Sequence, residues 1–156
     1  MDTKKKGTIT FRTAAVLFVL SAVLELISLR IEVPLFGAIH GGGVAMAYHL
    51  VYAVLYLALG VGLWSARHWA YPAVFATTAL YTFDKLQTML ISRDAIVEHL
   101  MQEMAGSPEL LQVVNKESML QTMLVVSATF IACWWGFAWY THLRRDYFKP
   151  GDGQSS

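Results

Sequence analysis

Four ionisable side chains lie inside long apolar stretches of this chain. Glu25 is in the first stretch, His49 is in the second, and Asp84 and Lys85 are neighbours in the third. A charged group exposed to hydrocarbon costs about 3 kcal/mol or more, so such side chains turn toward the interior of a helix bundle. Intramembrane ionisable groups commonly bind protons, ions or ligands. We therefore take these four residues as the candidate ligand- or ion-binding site.

The apolar stretches that carry these residues predict the fold. They run near 13–30, 44–65, 69–91 and 119–141, and each is close to the roughly 20 residues that a helix needs to cross a bilayer. A chain of 156 residues, 56 % of them hydrophobic, has no room for a second domain of ordinary size beside four spans. We predict an all-α integral membrane protein whose residues 1–156 form one domain, an antiparallel bundle of four transmembrane helices.

The four ionisable residues are predicted to lie at one depth. At about 1.5 Å per helical residue, each is roughly 7–10 Å below the outer end of its span. Asp84 and Lys85 point about 100° apart on a helix, so we expect Lys85 to pair with Glu25 and Asp84 with His49. Polar residues at a similar depth are the possible lining of the site. They are Tyr48, Tyr52, Tyr81, Gln121 and Ser127, with Gln87 and Thr122 beside them.

The positions of the basic residues predict the orientation in the membrane. Short loops rich in Lys and Arg stay in the cytoplasm, and Trp prefers the membrane interface. Basic residues flank the same end of the bundle at Lys4, Lys5, Lys6, Arg12, Arg67, Arg144, Arg145 and Lys149, and the tryptophans Trp64, Trp69, Trp134, Trp135 and Trp139 fall near that end. We expect a protein of the bacterial inner (cell) membrane with both termini cytoplasmic.

The connections between the spans differ in length. Residues 65–68 are short enough to make spans two and three antiparallel neighbours, whereas Pro34 and the Gly41-Gly42-Gly43 run suggest a flexible outer connection. Segment 92–118 has apolar residues at helical spacing, and Ser107-Pro108-Glu109 is a helix-start pattern. The segment is expected to form an external helical hairpin between helices 3 and 4. The alternative is a pair of short helices lying flat on the membrane surface.

Small residues at four-residue intervals indicate where helices approach closely, because association in lipid depends on close packing. The fourth stretch offers Ala128, Ala132 and Gly136, and the second offers Ala58 and Gly62.

Several function classes are excluded or disfavoured. The single cysteine, Cys133, cannot form an intrachain disulfide. The net charge of +1, without a basic stripe, argues against nucleic-acid binding. His49 has no intramembrane histidine partner for a haem, and neither a Glu-x-x-His pair for two metals nor a nucleophile elbow occurs. We therefore predict no cofactor and no metal site, and the sequence does not favour an enzyme.

The segment Ala22-Val23-Leu24-Glu25, followed by three more short spans, is similar in outline to the small multidrug resistance transporters. That resemblance implies a four-span protein with a membrane glutamate in its first span. The chain departs from the family by its 92–118 segment and by Asp84-Lys85 in the third span, so the family's function is not carried over.

Three classes of function remain open. In the first, which we favour, the polar cluster binds or helps transport a proton, an ion or a small amphiphile. In the second, the ion pairs only fix helix packing, and the chain is a structural or accessory subunit of a homo-oligomer or of a larger membrane complex. The third, least favoured, is an enzyme acting on a lipid or quinone. A cavity that reaches the cluster would favour the first class.

Overall fold

The computed structural model describes residues 7–104 and 116–149, which are mostly helical. Its elements are α1 (Thr8–Ile27), β1 (Val33–Leu35), β2 (Ala38–His40), α2 (Gly42–Trp64), α3 (Ala70–Gln87), α4 (Arg93–Met104) and α5 (Lys116–Leu143). A π-helical segment, Thr88–Ser92, joins α3 to α4, and a short 3-10 helix, Arg145–Phe148, follows α5. The predicted all-α class is confirmed, with one small hairpin added to it.

Helices α1, α2 and α5 are long and apolar enough to cross a membrane, which indicates a membrane protein. α3 is less apolar because polar side chains are concentrated from Thr77 to its end. They are Thr77, Thr78, Thr82, Asp84, Lys85 and Gln87. The fourth predicted span therefore stays a prediction.

The connection between α1 and α2 is a β-hairpin and not a featureless linker. β1 and β2 are antiparallel, and Leu35 pairs with Ala38, so only Phe36 and Gly37 form the turn. Both turn residues have positive φ, 48° and 87°, as a two-residue hairpin turn of type I′ requires. Glycine adopts this conformation easily, whereas phenylalanine does so at some cost. The sequence prediction of a flexible connection was wrong for residues 33–40.

The turn between α2 and α3 closes the end of α2 with backbone hydrogen bonds. Arg67 N donates to Gly62 O at 3.0 Å, and Ala66 N donates to Leu63 O at 3.3 Å. Ala66 has a φ of 51°, so the pattern is a Schellman motif with alanine at the position that usually holds glycine. The short 65–68 connection thus reverses the chain and makes α2 and α3 neighbours.

Glycines in α2 allow close helix packing. A Cβ at Gly60 would lie 2.7 Å from Val19 Cγ2 and 3.0 Å from Ala15 O of α1, and one at Gly62 would lie 2.8 Å from Ala70 Cβ. The predicted packing role of Gly62 is confirmed. In α5, by contrast, a Cβ at Gly136 would meet nothing within 4 Å.

The small residues Ala128, Ala132 and Gly136 are all exposed. The close-packing seam predicted on the fourth stretch is therefore absent from the part of the chain that the structure describes. α5 instead packs through Ala138 and larger side chains.

Aromatic side chains pack together where α1 begins and α5 ends. Phe11 stacks on Tyr147 with ring centroids 4.6 Å apart, and Phe148 packs edge-on against Phe11. Tyr147 Oη donates to Leu63 O at 3.0 Å, which satisfies a carbonyl in the last turn of α2. A tyrosine hydroxyl is already protonated at neutral pH, and burial raises the pKa of Tyr147 further.

The described part of segment 92–118 agrees with a helical extension. α4 is a helix whose Val97 is 2 % exposed, and it packs against β2 and α5. An ion pair joins Lys116 Nζ to Asp94 Oδ1 at 3.9 Å, and His99 Nε2 lies 3.7 Å from Glu32 Oε2. The second helix predicted from Ser107-Pro108-Glu109 lies outside the described residues.

We expect Gly60→Ala to lower the free energy of unfolding by about 1–3 kcal/mol, because the added methyl overpacks the contact between α1 and α2. Gly136→Ala is the matched control. It adds the same methyl to open space and should raise helix stability by up to about 1 kcal/mol. Unfolding in mixed detergent micelles measures both. Equal effects of the two substitutions would contradict the close contact at Gly60.

Candidate functional site

Glu25 and His49 form the most closely bonded pair of the candidate site. His49 Nδ1 lies 2.6 Å from Glu25 Oε2, and His49 Nε2 lies 3.1 Å from Ile31 O, just beyond the end of α1. His49 is 7 % exposed. α1 and α2 pack tightly, so the pair joins two helices at the level of the hairpin.

This geometry determines how many protons the pair holds. A carbonyl oxygen only accepts hydrogen bonds, so Nε2 of His49 must carry a hydrogen. The short contact at Nδ1 needs one more proton, because otherwise a nitrogen lone pair would face a carboxylate oxygen. The pair is therefore an imidazolium beside a carboxylate, or a neutral imidazole beside a carboxylic acid. In both forms it holds this shared proton and has no net charge.

Asp84 is the centre of a second polar group. Its Oδ2 accepts a hydrogen bond from Tyr48 Oη at 3.0 Å and lies 3.2 Å from Lys85 Nζ. The same ammonium lies 5.4 Å from the ring centroid of Tyr81, within the range of a cation–π contact. Asp84 is 7 % exposed, whereas the Lys85 side chain is 29 % exposed.

The predicted pairing of the charges was wrong. The structure pairs Glu25 with His49 and Asp84 with Lys85, because α2 presents Tyr48 and His49 to different neighbours. Consecutive helical residues point about 100° apart, so Tyr48 bonds Asp84 of α3 while His49 bonds Glu25 of α1. The flexible Lys85 side chain bends back to the carboxylate of the preceding residue.

The four predicted site residues nevertheless lie close to one another around a single level of α2. The rings of Tyr48 and His49 are in edge contact, with centroids 5.5 Å apart, and each ring bonds one of the two carboxylates. The two pairs therefore flank consecutive residues of α2. The common depth in the membrane that residue counting predicts for them stays a prediction.

The predicted lining residues divide into two groups. Tyr48 is half-buried, and Tyr52, Tyr81 and Ser127 are buried. Gln121 and its neighbour Thr122 are exposed, so the prediction that they line the cluster was wrong. A helix cannot turn Ser127 inward together with Gln121, because six residues correspond to about 600°, or 240° around the axis.

An open cavity of about 370 Å³ lies between α2 and α3 beside Asp84. Its volume is within the lower range of small-molecule sites. Its apolar wall includes Leu35, Val44, Ala47, Val51, Leu80 and Phe83. Tyr48, Tyr52, Asp84 and Gln87 lie at one end of this wall, with their polar atoms almost entirely covered. The cavity is thus an apolar groove that ends beside the buried carboxylate of Asp84.

The hydroxyl of Tyr52 is an unsatisfied polar group in this wall. Tyr52 is 5 % exposed, and its oxygen makes no hydrogen bond of normal geometry within the described chain. It still interacts electrostatically with Asp84 and Tyr48. A buried hydroxyl without a partner costs roughly 1–3 kcal/mol, and a ligand group could bond this one only after neighbouring side chains had moved, because the oxygen is fully buried.

Hydrogen bonds from α3 and the π-helical segment hold the β-hairpin at one end of the cavity. Gln87 Oε1 accepts from Phe36 N at 2.9 Å, and Gln87 Nε2 donates to Pro34 O at 3.1 Å. Ser92 Oγ accepts from Gly37 N at 2.9 Å. These bonds satisfy backbone groups of the turn.

The π-helical segment explains why Gln87 and Ser92 can act together. Residues five apart in an α-helix point about 140° from each other, but the wider π turn brings them to the same side. Ser92 Oγ lies 3.3 Å from Gln87 Oε1. The hydrogen bonds of Gln87 and Ser92 to the hairpin could not be predicted from the sequence, because a π turn has no simple residue pattern. The Phe36-Gly37 pair between Leu35 and Ala38 was the signal that could have revealed the hairpin.

The described residues contain no group of three His, Cys, Asp or Glu side chains that could hold a metal ion. Comparisons with protein-family models, with curated proteins and with solved structures found no match. The fold and the polar site therefore define the class only broadly, as a small helical membrane protein with buried ion pairs.

The structure predicts coupling between Glu25 and His49. Either Glu25→Leu or His49→Leu should strand a buried polar partner and cost about 3 kcal/mol, whereas the double substitution should cost much less than the sum. A thermodynamic cycle measured by unfolding in detergent gives the coupling. The control cycle combines Glu25→Leu with Lys85→Met and should be additive within about 0.5 kcal/mol. Strong coupling in the control cycle alone would restore the pairing first predicted from sequence.

Proposed function

We propose that α3 is the fourth transmembrane helix and that the four helices form an antiparallel bundle. The support is the distribution of its side chains. The polar residues Thr77, Thr78, Asp84 and Gln87 are buried, whereas large apolar residues cover its outer face and continue into the π-helical segment. These exposed residues are Leu80, Phe83, Leu86, Leu90 and Ile91. A helix whose apolar face points outward and whose polar face points into the protein can contact lipid on one side and line a binding site on the other.

Within that bundle, the cavity between α2 and α3 binds a small amphiphile. The observation that carries the proposal is the cavity itself, whose long apolar wall ends at Asp84, Tyr48 and Tyr52. The apolar tail would lie along α2 and α3, and the polar head would lie under the hairpin. A purely structural network has no need for an open space beside its carboxylate, so the binding class is favoured over the accessory-subunit class.

The orientation proposed here is the one that the basic residues predict. After replacement of Cys133 by alanine, single cysteines at Arg67 and Ser156 should react with a membrane-impermeant maleimide only after the membrane is opened. Cysteines at Gln102 and Lys116 should react in intact cells. The opposite pattern would reverse the orientation. If the cysteines at Arg67 and Gln102 were labelled from the same side, α3 would not cross the membrane.

Occupation of the cavity can be tested with a photoreactive octanol that carries a diazirine on its chain. In purified protein, labelling of Val51, Leu80 and Phe83 should saturate as the probe concentration rises. Ala47→Phe places a ring in the cavity and should reduce this labelling at least about fivefold, because the apolar wall is then filled. Mass spectrometry of the labelled peptides measures the effect.

Ala128→Phe is the matched control, since Ala128 is also exposed on an apolar helix but does not line the cavity. It should leave saturable labelling unchanged. Labelling that never saturates and is equal on all lipid-facing positions would contradict the proposed function. That result would favour the structural-subunit interpretation.

A further inference from the structure

We infer that the head group held at the polar end of the cavity is a protonated amine, and that Lys85 competes with it for Asp84. This inference rests on the proposed function and names its ligand class. It depends on the hydrogen-bond donors and acceptors that the cavity presents.

Two of the three side chains in the cavity wall that carry donor hydrogens, Tyr48 and Gln87, have already used them, and only the Tyr52 hydroxyl keeps its hydrogen. Tyr48 Oη donates to Asp84 Oδ2. Gln87 Nε2 donates to Pro34 O at 3.1 Å and to Thr88 Oγ1 at 3.0 Å. A hydroxyl has one hydrogen and an amide has two, so neither group has a hydrogen left for a ligand. A head group that only accepts hydrogen bonds would find no donor at these two positions.

The acceptors, by contrast, are not exhausted. A carboxylate offers about four lone-pair positions, and the contacts of Asp84 with Tyr48 and Lys85 both fall on Oδ2. The hydroxyls of Tyr48 and Tyr52 retain lone pairs as well, although the Tyr52 oxygen is fully buried behind the cavity wall. The polar end is therefore rich in acceptors and contains a carboxylate, which matches a head group with several N–H donors and a positive charge.

Lys85 shows that this carboxylate accepts an ammonium. Its Nζ lies 3.2 Å from Asp84 Oδ2 and 5.4 Å from the Tyr81 ring centroid. Lys85 does not line the cavity, so it reaches Asp84 from another side. While Lys85 neutralises the carboxylate, an amine in the cavity is attracted less strongly. A partly exposed lysine side chain can move away at low cost, which would leave the carboxylate to the ligand.

The experiment measures how well decylamine and decanol compete with the photoreactive octanol in the wild-type protein and in two variants. Decylamine is protonated at neutral pH, and the two competitors share one alkyl chain. In the wild type, decylamine should compete at a several-fold lower concentration than decanol. Lys85→Met should widen that preference by about tenfold, because the carboxylate loses its internal cation. Decanol should compete equally in both proteins.

Asp84→Asn is the second variant, which keeps an acceptor for Tyr48 but removes the charge. It should abolish the preference for decylamine over decanol, with both competitors measured against the octanol labelling of the same variant. If decanol and decylamine compete equally in all three proteins, the amine inference is wrong and the amphiphile site stands. If octanol labelling is never saturable, the proposed function itself fails. If the Lys85→Met protein does not fold, the decylamine preference of Asp84→Asn compared with that of the wild type decides whether the amine inference is correct.

Discussion

The structure depends on the need to give every buried charge a partner on a neighbouring helix or residue. Lipid offers none, so each unpaired charge would oppose insertion. α2 meets this requirement with two consecutive residues, His49 toward Glu25 of α1 and Tyr48 toward Asp84 of α3. Because the two bonds leave α2 in different directions, they hold α1 and α3 on different sides of it. The position of the cavity beside Asp84 follows from that arrangement.

The hairpin and the π-helical segment extend the same principle to backbone groups. The turn residues Phe36 and Gly37 direct their N–H groups toward Gln87 and Ser92, so the polar end of the cavity is covered without stranding these donors. Gln87 uses both ends of its amide for this purpose. Its hydrogen-bonding capacity is consequently committed to the fold, which leaves Asp84 and the tyrosines as the groups that can serve a ligand.

Much of the fold could be predicted from the sequence because it depends on apolar length and on the cost of burying charge. Those two rules predict the helices and bring Glu25, His49, Asp84 and Lys85 to one level. They could not predict the partners, since pairing depends on helix rotation and on side-chain reach, and a lysine can bend back to the preceding residue. The exposure of Gln121 likewise depends on the rotation of α5. The hairpin was missed because a phenylalanine in a positive-φ turn position is an uncommon signal.

The two ion pairs differ in a way that bears on function. The Glu25–His49 pair is short, has a third bond to Ile31 O, and keeps no net charge in either proton arrangement, so its disruption strands polar atoms in the packed contact between α1 and α2. The Asp84–Lys85 pair is longer, and its lysine is partly exposed. Partly exposed pairs contribute little to stability, whereas buried ones are costly to break. The first pair is therefore suited to holding helices together, and the second is suited to exchanging one cation for another.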